Sequence, residues 1–416
     1  MLWAWPYLHT PLFYLVPIMG LPLLVYVLRK RWLDYIRYKN ILKTDWALLE
    51  IIMPKNIFKS PQAMEVIFGV FNQSYAGTWW TRLKEGTYRT WFSLEFASLE
   101  GKVHFYIRTN RLFKDSIEAQ IYAQYPGIEI RESDDYVHHL KYGIEPGWEI
   151  FGAVFKLAKE DAYPIKTYID YGLDKAGDEE ETKTDPINAT IENLGAFGRG
   201  EYAFIQILVQ AANARFHKPD TWFGKQDCKG EGETLTKKLS KQDDVVKAGK
   251  SDAPVIPAMF KLTPGETEVI KAVERSLGKL GFDCGIRIVY GAKKENYKLT
   301  HQLAFKDVFA QYTTLNLNGF KQAYSPSVES VFKQWTGLAK KEVAYIKEIL
   351  IDGYRNRAFF YPPFPHRHHH KYKPRPFVLN TEELATIFHF PGGVTTTGGL
   401  LRSESKKAEA PTNLPI

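Results

Sequence analysis

The first 32 residues, MLWAWPYLHTPLFYLVPIMGLPLLVYVLRKRW, hold no charged side chain between Leu12 and Leu28 and then meet Arg29, Lys30 and Arg31 at once. A helical run of this kind has two destinations, lipid or the middle of a fold. At about 1.5 Å per residue it approaches the lower length for a bilayer span, and the apolar residues before it extend it. Trp3, Trp5 and Tyr7 would then lie in one interface, with Tyr26 and Trp32 near the other. Positive charge after the run and none before it orients the remainder towards the cytoplasm. A cleaved signal peptide needs the reverse order of charge. Pro11, Pro17 and Pro22 keep a kinked, buried helix hairpin as the rival. The expectation is a single-pass membrane anchor in contact with membrane lipid, carried by Leu12, Phe13, Leu15 and Leu28 and closed by Arg29, Lys30 and Arg31.

Downstream, 33–45 mixes basic and aromatic residues and continues as a juxtamembrane helix. From 46 to 136 the pattern reads strand, helix, two strands about a Glu100-Gly101 turn, helix, strand. That is the β-α-β-β-α-β ferredoxin-like plan. A second such unit is expected at 150–292, with strands at 163–173, 201–211 and 283–291. Its helices begin at Asp185-Pro186 and at the capping box Thr263-Pro264-Gly265-Glu266. A polar excursion, 212–256, interrupts it. Residues 298–357 read as helical. A Pro- and His-rich link, a short helix capped by Thr381 and a polar tail fill 358–416. The fold class is α+β: an N-terminal transmembrane helix, two ferredoxin-like α/β sandwich units and a helical C-terminal region.

The chain has 416 residues and only two cysteines, Cys228 and Cys284, so no disulfide framework is indicated. Its formal net charge of +8 permits contact with nucleic acid or anionic lipid without requiring it. No GxxxxGK[ST] loop occurs. Gly278-Lys279-Leu280 lacks the hydroxyl, and Gly198-Arg199-Gly200 is a turn before a strand, so ATP hydrolysis by this chain alone is not expected. His366, His368, His369 and His370 are nearly consecutive and flanked by proline, which suits an exposed basic tract better than a metal site. His138 and His139 suit a loop, and Asp178–Glu181 a solvated acidic run. No catalytic, cofactor or metal residue is assigned.

Three stretches carry a family resemblance: VHFYIRTNRLFKDSIEAQIYAQYPGIEI (103–130), GEYAFIQILVQA (200–211), and LNTEELATIFHFPGG (379–393) with SKKAEAPTNLPI (405–416). Together they resemble the membrane-proximal N-terminal region of HerA/VirD4-like conjugative-transfer ATPases of candidate-phylum bacteria. In that family a P-loop ATPase domain begins just after the stretch matching Ala408–Ile416, so its catalytic residues have no positions here. The resemblance implies a non-catalytic, membrane-anchored scaffold or accessory subunit of a type IV secretion or conjugative DNA-transfer machine. It also implies a separately encoded ATPase as partner and a homo-oligomer. Thr381, Leu384, Ile387, Phe388, Phe390 and Pro391 are the expected docking residues, and the basic flanks 371–377 and 401–407 allow non-specific DNA contact. The alternatives are a hydrolase assembled from distant loops, using His138 and the 174–184 stretch, and a membrane-surface scaffold unrelated to DNA.

Overall fold

A computed structural model describes residues 5–54, 59–174, 184–214, 216–217, 224–240, 262–326, 338–361, 375–392 and 402–403; of residues 5–19, 216–217, 338 and 402–403 it describes the backbone alone. In chain order the elements begin with helix α1 (Trp5–Lys43), strand β1 (Trp46–Pro54), α2 (Gln62–Phe68) and α3 (Trp79–Lys84). Next come β2 (Trp91–Leu99), β3 (Lys102–Asn110), α4 (Lys114–Gln124), β4 (Glu129–Glu132) and β5 (Trp148–Leu157). They continue with α5 (Pro186–Gly195), β6 (Glu201–Ala211), β7 (Phe216–His217), β8 (Lys225–Gln226), α6 (Cys228–Leu239) and α7 (Pro264–Leu277). The last are β9 (Gly281–Lys293), α8 (Leu299–Lys306), β10 (Phe320–Tyr324), α9 (Leu338–Arg355), β11 (Phe377–Asn380), α10 (Thr381–Ile387) and β12 (Arg402–Ser403).

Among the described residues ten strands form one sheet. The first half is ordered β4-β1-β3-β2 and the second β10-β5-β9-β6, every neighbouring pair antiparallel. The halves meet where β2 runs antiparallel to β6, in register from Trp91↔Gln210 to Leu99↔Tyr202. The same strand of each half thus supplies the seam. A tight turn joins β2 to β3 with Glu100 and Gly101 both at positive φ, and the C=O of Phe197 leaves no room for a side chain at Gly101. The strands at the seam are buried on both faces, which explains their nearly unbroken apolar runs.

One face of the sheet carries α2, α4, α5, α8 and α10 over Phe92, Leu94, Phe96, Phe105, Ile205 and Ile286. The other is covered by α9 and the segment after it, with Ile346, Leu350 and Phe359 against Trp91, Val154 and Leu208. The strap Phe377–Phe390 crosses the first face. Its β11 extends the free edge of β9, and Phe388 and Phe390 then reach Phe96, Phe105 and Tyr125 in the other half.

Several expectations are corrected. Among the described residues no helix is long and apolar enough to cross a membrane. Leu28 is followed at once by Arg29, Lys30 and Arg31, and Asp34, Arg37 and Lys39 follow along the same helix. The transmembrane helix, the single-pass membrane localisation and the membrane-anchored role are therefore corrected. The side chains of Leu12, Phe13 and Leu15 lie outside the described residues. In place of two separate sandwiches there is a single continuous sheet, accompanied by the two-stranded β7-β8 sheet. The expected strand 163–173 is a series of turns: Pro164 has no N–H to give a ladder, and Asp170 Oδ2 accepts from Thr167 N at 2.9 Å. The second half starts instead at β5. The region 298–357 contains β10 as well as helix. Within the polar excursion, α6 packs on α7 through Leu235 and Val273.

Candidate docking surface

Charged side chains cluster first beneath α9. Glu95 stands on the α9 side of β2, is wholly buried, and receives both arms of Arg357, Nε and Nη2, at 3.0 Å each. Tyr136 OH donates to it at 2.7 Å, Gln206 Nε2 at 2.9 Å and Ser93 Oγ at 2.5 Å. Arg357, at φ +46°, also pairs with Asp135. Burial pushes the Glu95 carboxyl up, but Arg357 and the hydroxyls of Ser93 and Tyr136 outweigh it and hold it below the usual carboxylate range. An acid–base catalyst needs a lone pair or proton facing a substrate. Here both oxygens are occupied from within the protein.

The same holds elsewhere. Glu201, buried at the start of β6, accepts from Tyr290 OH at 2.6 Å, Gly198 N at 2.7 Å, His301 Nδ1 at 2.9 Å and Lys298 Nζ at 3.2 Å. Glu382, in the first turn of α10, accepts from Thr167 Oγ1 at 2.5 Å and pairs with Arg275 and Lys279. A shallow cavity of about 520 Å³ lies between the end of α1 and the end of β3. Its Tyr88 OH is shared with Thr44 at 2.7 Å, and its Arg111 is held by Asp45 and Glu132. Among the described residues no group of His, Cys, Asp and Glu is arranged to hold a metal ion.

The expected docking residues of the C-terminal segment lie in the core. Leu384, Ile387, Phe388 and Phe390 are at most 1% exposed, and Thr381 and Pro391 are buried with them. Asn380, not Thr381, caps α10: its side chain accepts from Glu383 N, and the Glu383 carboxylate returns to Asn380 N. The histidine tract 366–370, most of the acidic stretch 174–184 and the tail 405–416 lie outside the described residues. His138 and His139 occupy a 3-10 turn, where His139 stacks on Tyr202.

What remains unsatisfied is a ridge. From Leu21 to Leu28 every large apolar side chain of α1 is between 43% and 64% exposed, on all sides of the helix. The next turns anchor α1 to the body. Trp32 Nε1 donates to the Leu83 C=O at 2.9 Å, Ile36 is buried, and Gly86, at φ +71°, lets its backbone press on that of Ile36. A Cβ at Gly86 would stand 2.5 Å from the Ile36 carbonyl. Beside this contact α3 starts at Thr78, whose hydroxyl caps it through Thr81 N. It presents Trp79 and Trp80, 57% and 71% exposed, with ring centroids 4.8 Å apart and nearly perpendicular. Tyr75, Trp32 and Tyr35 extend the aromatic area, and Arg82 and Lys84 lie in the last turn.

Sequence reasoning assigned Leu28, Arg29, Lys30 and Arg31 to a lipid anchor and passed over Trp79 and Trp80. A signal was available. Two tryptophans side by side in a short segment with no apolar residue at helical spacing around them but Leu83 offer little for a core to cover.

A family model described as a domain of unknown function, DUF8128, matches residues 41–397. The chain belongs to this family. The matched span takes in the whole sheet except β12, together with α2 to α10 and the Lys43 end of α1. No curated protein matches the chain. The DUF8128 match carries no secretion or conjugation role, and that expectation is corrected together with the membrane anchor.

Proposed function

We propose that this DUF8128 protein is a non-catalytic binding module that docks a second macromolecule on the ridge formed by α1 and α3. The observation that carries this reading is the continuous exposure of Leu21–Leu28 on α1 together with that of Trp79 and Trp80 on α3, the helix α1 meets through Trp32 and Leu83. An apolar patch of that extent, rimmed by charge, is the usual mark of an interaction site. Aromatic side chains fixed in orientation are the usual anchors of such sites. The satisfied carboxylates favour binding over catalysis, because Glu95, Glu201 and Glu382 are each occupied by donors from their own fold.

Sedimentation of the native protein in extracts of its own cells tests the reading. The wild type is expected to travel in an assembly well above its own 47.9 kDa. Leu24→Asp with Trp80→Ala should return it to the mass of the free chain. Both positions are exposed, so thermal unfolding should move by no more than about 0.5 kcal/mol. An assembly unchanged by the double substitution, or a wild type that travels as a free monomer, would overturn the proposal.

A further inference from the structure

Resting on the docking reading, we infer that the partner is a protein helix whose aliphatic stretch leads into an acidic one, lying along α1 with its acidic part beside α3. The ridge has two chemically distinct ends in a fixed order. Gly20–Leu28 is uncharged and exposed. From Arg29 to Lys43 the sequence carries Arg29, Lys30, Arg31, Arg37, Lys39 and Lys43 with Asp34 as the single acidic residue, and α3 adds Arg82 and Lys84 with none. Trp32, fixed by the Leu83 carbonyl of α3, stands just past the junction, and α3 also carries the exposed Trp79–Trp80 pair. An occupant must therefore cover aliphatic surface first and neutralise cations next. The described part of α1 from Gly20 to Lys43 is about 36 Å long at 1.5 Å per residue, enough for six turns of a partner helix.

Charge order separates the candidate occupants. A nucleic-acid strand would neutralise the basic end and stack on tryptophan, but its phosphates would leave Leu21–Leu28 in water. A second copy pairing in parallel would set Arg29–Arg31 against the same triad. In antiparallel pairing each α1 would bring Asp34 alone against the six cations between Arg29 and Lys43. An aliphatic-then-acidic helix satisfies both ends. Its on-rate gains from the cations, and its residence time from the tryptophans.

The test uses the full chain and a synthetic helical peptide, leucine- and alanine-rich in its first half and glutamate-rich in its second, followed by tryptophan fluorescence and calorimetry. Binding should weaken about tenfold from low to high salt and about tenfold again in Arg31→Glu, and vanish when the peptide's glutamates become lysines. Trp80→Ala should weaken it with little change in salt dependence, which separates anchoring from charge. Equal binding of the lysine peptide overturns the inference. So does tighter binding of an oligothymidylate or of phosphatidylglycerol vesicles, or self-association of the chain through the ridge. If the double substitution at Leu24 and Trp80 dissolves the native assembly while the glutamate peptide fails to bind, docking stands and the acidic partner falls.

Discussion

At the scale of single residues the buried pair Glu95–Arg357 decides most. Each partner is at most 1% exposed, so removing Glu95 leaves Arg357 in a low-dielectric interior with Asp135 as its remaining carboxylate. Glu95→Ala should cost about 3–5 kcal/mol, read from urea unfolding. The double variant Glu95→Ala with Arg357→Met should recover part of that loss, because no wholly buried charge is then left and the Asp135 carboxylate, 36% exposed, can turn to water. A midpoint unmoved by Glu95→Ala would show that the pair is not formed as described. This pair was illegible in the sequence. In TWFSLEFASLE an alternating strand places Glu95 among residues expected to meet water, and its partner comes 262 positions later. Local pattern contains nothing about that distance.

At the scale of elements the strap β11-α10 carries an unusual carboxyl group. Glu383 closes the α10 cap while 2% exposed, accepting from Asn380 N and from Ile165 N at 2.9 Å each. Burial pushes its carboxyl up to about 8, with help from Glu382 and Asp161 and against the pull of those two amides. The folded protein thus holds this proton more tightly than the unfolded chain does. The associated stability is complete below the ordinary value of 4.5 and is lost progressively as pH rises to about 8. Unfolding free energy should decline across that window in the wild type. The slope should be shallower in Glu383→Gln, which cannot ionise, even though that variant sacrifices one acceptor. Identical pH slopes would refute the assignment. The existence of α10 was readable from TEELATIF and the glycines after it, but its complete burial was not. A helix with two glutamates in its first turn looks amphipathic until Arg275, Lys279 and the 165–168 backbone are seen around it.

At the scale of the whole molecule the β2–β6 seam makes two similar halves into one sheet, and the strap ties them again across the helical face. Heat should therefore unfold the body in a single calorimetric transition, with van't Hoff and calorimetric enthalpies agreeing. Two resolved transitions would mean that the halves are energetically separate. The repeated order of strands was partly readable from period-two patterning. The fusion was not, because a strand's partner on either edge leaves no local mark. Burial of the strap bears on the timing of biosynthesis. Phe388 and Phe390 fill space between strands and helices translated hundreds of codons earlier. Until the ribosome has released them, the first half must wait with an open apolar trench, and that interval is when a nascent chain of this family most needs a chaperone.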